Sequence, residues 1–156
     1  MVFTSGCSKR TNDFDLKTEI PEEILKESKI DSNIDLSTVD IIDIPEKMFI
    51  GTINNIYINY ENYAGKYIKI EGLYLEEFDE STTYSLIARY GPGCCVDDDK
   101  AGFQIIYDKE YPKINDWIEV IGILEYFEVD GRSALILRVI ELNINNEERG
   151  LEIVAD

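Results

Sequence analysis

Two thiols stand side by side at Cys94 and Cys95, and three carboxylates, Asp97, Asp98 and Asp99, follow with only Val96 between. Gly91-Pro92-Gly93 precede them and force a turn. Soft thiolates suit zinc or cuprous copper, and a carboxylate can complete the shell. Two Cys and one Asp would leave a coordination position open for water or a further ligand. Cys94, Cys95 and Asp98 are therefore candidate metal ligands. Adjacent side chains diverge in extended backbone, so the turn has to bring both sulfurs to one side. Three other arrangements compete: a strained vicinal disulfide, two small buried apolar side chains, and a solvated acidic loop tip. A thiol–disulfide role would need a thiolate of lowered pKa, and the neighbouring carboxylates oppose that.

The sequence contains no histidine. This excludes imidazole general acid–base chemistry, Ser-His-Asp and Cys-His nucleophile pairs, and zinc sites that need His. Glu76, Glu77, Asp79 and Glu80 are the other close carboxylates, but they fall at a turn between strands, where solvation explains them. Tyr57, Tyr60, Tyr63, Tyr67, Tyr74, Tyr84 and Tyr90 could stack on a ligand, although tyrosines more commonly half-fill a sheet surface. No catalytic residue is assigned, and the chain reads as a binding or accessory module rather than an enzyme.

Thirty-two acidic and 15 basic residues give a formal charge of −17. Such a field repels nucleic acid, whose binding needs Lys and Arg to displace counterions, and it opposes docking on anionic lipid. It is compatible with cations or basic partners. The remaining cysteine, Cys7, follows the small residues Thr4, Ser5 and Gly6 and precedes a polar stretch. This is the pattern of a bacterial lipoprotein processing site, with Cys7 as the lipid acceptor. The basic and apolar segments of such a signal would then lie upstream of Met1. The expected location is the extracytoplasmic face of the cell membrane, reached through the lipid alone.

Around these residues the elements are as follows. Residues 1–7 form the signal remnant, 8–37 a linker with a short helix at Ile20–Glu27, 38–144 a β domain, and 145–156 a tail. Val39–Ile44 alternates weakly as a strand, and Ile53, Ile56, Tyr57 and Tyr60 have helical spacing. From Tyr67 the period becomes two. Strands are expected at 67–75, 83–90, 102–107, 116–127 and 134–142, with Asp130-Gly131 as a hairpin turn and 108–115 as a plain loop. Leu73 and Leu75 look out of phase with Ile68 and Ile70 across Gly72, which suggests a bulge; Gly122 interrupts the fourth strand likewise. Long first and fourth strands with internal glycines predict a mainly β fold, a five-stranded antiparallel OB-like barrel with a short N-terminal helical extension; a β-sandwich is the alternative. Ile68, Ile70, Val120, Leu135 and Leu137 are expected to be buried together.

Tyr63-x-Gly65-Lys66-x-Ile68-x-Ile70-x-Gly72, Arg89-x4-Cys94-Cys95-x2-Asp98, Gly102 and Asp116-Trp117-Ile118-x-Val120-x-Gly122 together resemble the extracytoplasmic domain of an uncharacterised bacterial family of permease subunits. The resemblance covers roughly Ile44 to Leu142. It implies a membrane permease as partner and places the family's Cys-Cys-x-x-Asp motif on Cys94, Cys95 and Asp98. It names no ligand beyond a metal ion or other small molecule. Family members commonly carry N-terminal membrane helices, which a lipid on Cys7 would replace here. Asp97 and Asp99 stand where the family has small residues, making this version more acidic.

Overall fold

A computed structural model describes residues 19–27, 30, 33–91 and 100–146 of the chain. Among these the protein is mainly β. The elements run α1 (Glu22–Glu27), β1 (Ile41–Asp43), α2 (Phe49–Ile58), a single 3-10 turn at Tyr60–Asn62, then β2 (Tyr67–Asp79), β3 (Thr82–Tyr90), β4 (Lys100–Ile106), β5 (Trp117–Val129) and β6 (Arg132–Ile144). Residues 108–115 form no helix.

The strands lie in the order β1-β2-β3-β4-β6-β5, and β2 also pairs with β5, so β2 to β6 close into a ring. The expectation of an antiparallel sheet is corrected in two places. β1 runs parallel to β2, and β4 runs parallel to β6 through Gln104↔Ile136, Ile105↔Leu137 and Ile106↔Arg138. The second parallel pair is a matter of parity. Strands that alternate in direction can close a ring only if their number is even, so a ring of five must contain one parallel neighbour pair. It falls between β4 and β6 because every other join in the ring is antiparallel.

β2 serves three partners, β1 beside its first residues and two longer ones. Residues Tyr67–Leu73 pair with β5, and Leu73–Asp79 pair with β3. Gly72 stands at this changeover, and the inward phase continues unbroken through it: Ile68, Ile70 and Tyr74 all enter the main core. Leu73 and Leu75 belong to a second cluster with Leu86, Ala88 and Trp117. Both faces of this stretch are apolar, which is why the alternation looks shifted in sequence. At Gly122 the irregularity is present. Ile121 pairs with Glu141 while Gly122 pairs with Val139, leaving Ile140 as the extra residue of a bulge on β6. The β5–β6 hairpin turns through Asp130 and Gly131 at φ 50° and 76°, the left-handed pair that a two-residue primed turn requires.

Ile68, Ile70, Val120, Leu135 and Leu137 share one core with Phe49, Ile53 and Ile56 of α2. The i, i+4, i+7 spacing of those three puts them on one face of the helix, and α2 thereby closes part of the ring's interior. Tyr57 follows on the same side. It stacks on Phe103 with centroids 5.5 Å apart and donates its hydroxyl to the Gly102 carbonyl at 2.9 Å. On another face Ile20 is buried against Ala134 and Ile136, with Ile24 beside it. The segment before β1 therefore lies on the sheet as a strap. Beyond β6, Asn145 N–H donates to the Trp117 carbonyl at 2.8 Å, and the Asn146 side chain accepts from Trp117 N–H and donates to Asp116.

Candidate functional site

Cys94, Cys95 and Asp98 lie outside the described residues, as does Cys7. What is described is the base that carries the cysteine loop. β3 and β4 pair up to Arg89↔Ala101 and Tyr90↔Lys100, so residues 91–99 connect two ends held side by side. Gly102 lets the strands come this close: a Cβ there would lie 1.9 Å from the Ile87 carbonyl oxygen and 2.7 Å from Ala88 Cα.

The last residues of β3 are anchored from below. Arg89 is only 4% exposed. Its Nε donates to the Glu71 carbonyl at 2.8 Å, and its guanidinium lies 4.3 Å from the Phe49 ring centroid and 4.9 Å from that of Trp117. Trp117 Nε1 in turn donates to the Glu71 carboxylate at 3.2 Å. A desolvated guanidinium between two rings gains about 0.5–2 kcal/mol from each. On the β4 side Lys100 pairs with Glu77 and lies 5.8 Å from the Tyr90 centroid. Among the described residues no group of three His, Cys, Asp or Glu side chains is gathered as a metal shell would be.

Among the described residues three polar side chains are buried: Arg89, met in the sequence only as part of a motif, and Gln104 and Arg138, which no motif singled out. The signal was present, because each interrupts an apolar strand, and a polar residue there is the informative exception. Arg138 is 5% exposed and grips Glu125, with Nε 3.1 and 3.0 Å from the two carboxylate oxygens and Nη2 2.9 Å from one of them. Nη2 also reaches the Ile24 carbonyl at 3.4 Å, tying α1 to β6. Tyr74, fully buried, donates its hydroxyl to Glu76 at 2.7 Å and lies 3.2 Å from the Ser85 hydroxyl. Burial pushes its phenol well above the usual tyrosine range.

These features define a class: a small closed β domain, strapped on its outer face by an N-terminal segment, with a tightly paired β3–β4 base at the ends that residues 91–99 join. The sequence matches the DUF1980 C-terminal domain over residues 21–148, and the chain belongs to that family, whose function is uncharacterised. Comparison with curated proteins gives no match.

Proposed function

We propose that the domain is an extracytoplasmic accessory or binding protein of a permease system, held to the membrane by lipid on Cys7, and that it takes a metal ion on Cys94, Cys95 and Asp98. The observation that supports this most is the strand register. Tyr90 opposite Lys100 fixes both ends of a loop in which two thiols and the carboxylates are the chemically distinctive groups. Buried Arg89 holds one end and the Lys100–Glu77 pair the other. Rigid elements make a precise support for ligands on a short connection. The donor set suits soft cations, zinc or cuprous copper, and the net charge of −17 favours their approach. Membership of the DUF1980 family over most of the chain is consistent with a dedicated domain of this kind.

The test is titration of reduced protein with zinc and with cuprous copper, read by competition with a chromophoric chelator. Parent protein should bind one equivalent with a dissociation constant below about 1 μM. Cys94→Ser, Cys95→Ser and Asp98→Ala should each weaken it at least about tenfold. Equal, weak binding by all four proteins would end the metal assignment and leave a protein-interaction module in its place. The tether is tested separately: the gene with its upstream codons is expressed and fractionated, and Cys7→Ala should release the protein from the membrane.

A further inference from the structure

A second site is built into the outer face of the sheet, on residues other than the candidate metal ligands. A cleft of about 710 Å³ opens between the N-terminal strap, the start of β3, the end of β4 and the middle of β6. Its walls include apolar Ile20, Leu25 and Ile106 and the rings of Tyr84 and Tyr111. Gln104 also lines it, held on β4 between Leu86 of β3 and Ile136 of β6. Gln104 is only 8% exposed, and its Oε1 has no hydrogen-bond partner among the described residues. A buried acceptor left unsatisfied is costly, and a carbonyl oxygen is satisfied only by a donor.

The charges select among donors. Among the described residues, Glu19, Asp108 and Arg138 are the ionised side chains of the lining. Arg138 spends its charge on Glu125, so the two carboxylates leave the cleft net negative. Among these described residues an anion would meet no cation that is not already paired, whereas an ammonium group would find one acceptor and two carboxylates beside apolar and aromatic walls.

We propose that this cleft binds a small organic cation, a primary ammonium on an apolar or aromatic body. Oε1 is itself closed to solvent, so the Gln104 amide turns toward the cleft on binding; the ammonium then donates to Oε1, its charge faces Glu19 and Asp108, and its body lies against Ile20, Ile106 and Tyr111. The site is independent of Cys94, Cys95 and Asp98.

The experiment uses the whole chain and three probes of one shape: phenethylammonium, 2-phenylethanol and 3-phenylpropionate. Binding is followed by amide shifts at Ser85, Gln104 and Tyr107. Phenethylammonium should saturate with a dissociation constant of about 1 mM or tighter, the range of a fragment-sized ligand. The alcohol should be about tenfold weaker, and the carboxylate should not bind. Gln104→Leu should lose about tenfold or more in affinity for phenethylammonium, as expected for a hydrogen bond to a charged group. Glu19 is exposed, so Glu19→Gln leaves the fold intact and should lose about twofold to fivefold. If Gln104→Leu does not fold, the double variant Glu19→Gln, Asp108→Asn decides, with an expected loss of at least about fivefold. Cys94→Ser should bind the probe as the parent does, which separates this site from the metal site. Equal binding of the carboxylate, unchanged affinity in the folded variants, or no binding of phenethylammonium at about 20 mM would each overturn the proposal.

Discussion

Replacing Gly102 by alanine tests whether the hairpin base is held as tightly as the geometry implies. The new Cβ would stand 1.9 Å from the Ile87 carbonyl oxygen, 2.7 Å from Ala88 Cα and 2.9 Å from Ala88 Cβ. All three atoms belong to β3, and two of them are backbone, so no side chain can rotate away. Normal carbon–carbon contact is about 3.5–4.0 Å, which means β3 and β4 must part by roughly 1 Å. That separation strains the pairs from Leu86↔Gln104 to Tyr90↔Lys100 and pulls the Gly102 carbonyl from Tyr57. Overpacking of this kind costs about 3 kcal/mol or somewhat more, offset by about 0.4–1 kcal/mol from the less flexible unfolded chain. The net loss should be about 2–3 kcal/mol, read as a lower urea midpoint with unchanged slope. Two other glycines calibrate it. At Gly122 the nearest atom is the Arg138 carbonyl oxygen at 2.5 Å, beside a bulge that gives slack, and at Gly72 it is the Ala88 carbonyl oxygen at 3.0 Å. The losses should rank Gly102 above Gly122 above Gly72, with Gly72→Ala within about 1 kcal/mol of the parent. If Gly102→Ala is as stable as Gly72→Ala, the close approach of β3 and β4 is not a constraint and the reasoning about a rigid loop base fails.

Two further outcomes follow from the buried polar groups. Glu125→Gln should destabilise the protein by about 1.5–3 kcal/mol, the range of a hydrogen bond to a charged group, because the Arg138 guanidinium keeps one amide acceptor but loses its counter-charge. It should also speed limited proteolysis near α1, since Arg138 then loses the fixed orientation that reaches Ile24; unchanged cleavage would mean that the packing of Ile20 and Ile24 holds the strap without it. Tyr74, whose phenol is raised by burial above its unfolded value of 10.0, ties stability to alkaline pH. Below about pH 10 both states keep the proton and the contribution is complete. Above it the unfolded chain releases the proton first, so stability falls by about 1.4 kcal/mol per pH unit until the folded value is reached. Urea midpoints between pH 8 and 11, as approximate bounds of that window, should decline less steeply in Tyr74→Phe; parallel declines would refute the assignment.

Much of this fold can be read from period-two alternation. β3 to β6, the Asp130-Gly131 turn and the shared core of Ile68, Ile70, Val120, Leu135 and Leu137 all follow from it, because one buried face fixes the phase of a strand. Gly72 shows where that signal fails. Ile68, Ile70 and Tyr74 face one cluster and Leu73 and Leu75 another, so alternation carries no phase information and a straight changeover looks like a bulge. The parallel β4–β6 pair was available by parity once five strands and closure were granted, but propensity acts along one strand and does not register ring closure. The cleft was marked by Gln104 and Arg138 breaking apolar runs, though only the strap's return onto Ala134 and Ile136 gives that exception a cavity. The cysteine loop is legible only as chemistry: residue types name a donor set, and no periodicity positions Cys94, Cys95 or Asp98.

Ring closure also constrains where anything can bind. With β2 to β6 each paired on both sides, β1 is the outer strand of the sheet, and strand addition has little edge to use. Binding is left to the connections and to the outer face. The β3–β4 hairpin carries one candidate at each end. Tyr90 and Lys100 flank the cysteine loop, while Thr82, Ser85 and Ile106 border the cleft. Gln104 lies four residues from Lys100 and Ser85 five from Tyr90, about 13–17 Å of strand at about 3.3 Å per residue between the cleft and the described ends of the loop. Sites that far apart with no shared partner should respond additively to mutation. Coupling between them would therefore have to pass through β3 and β4 moving together, and Arg89, bracketed by Phe49 and Trp117, resists that movement at one end while the strap resists it at the other.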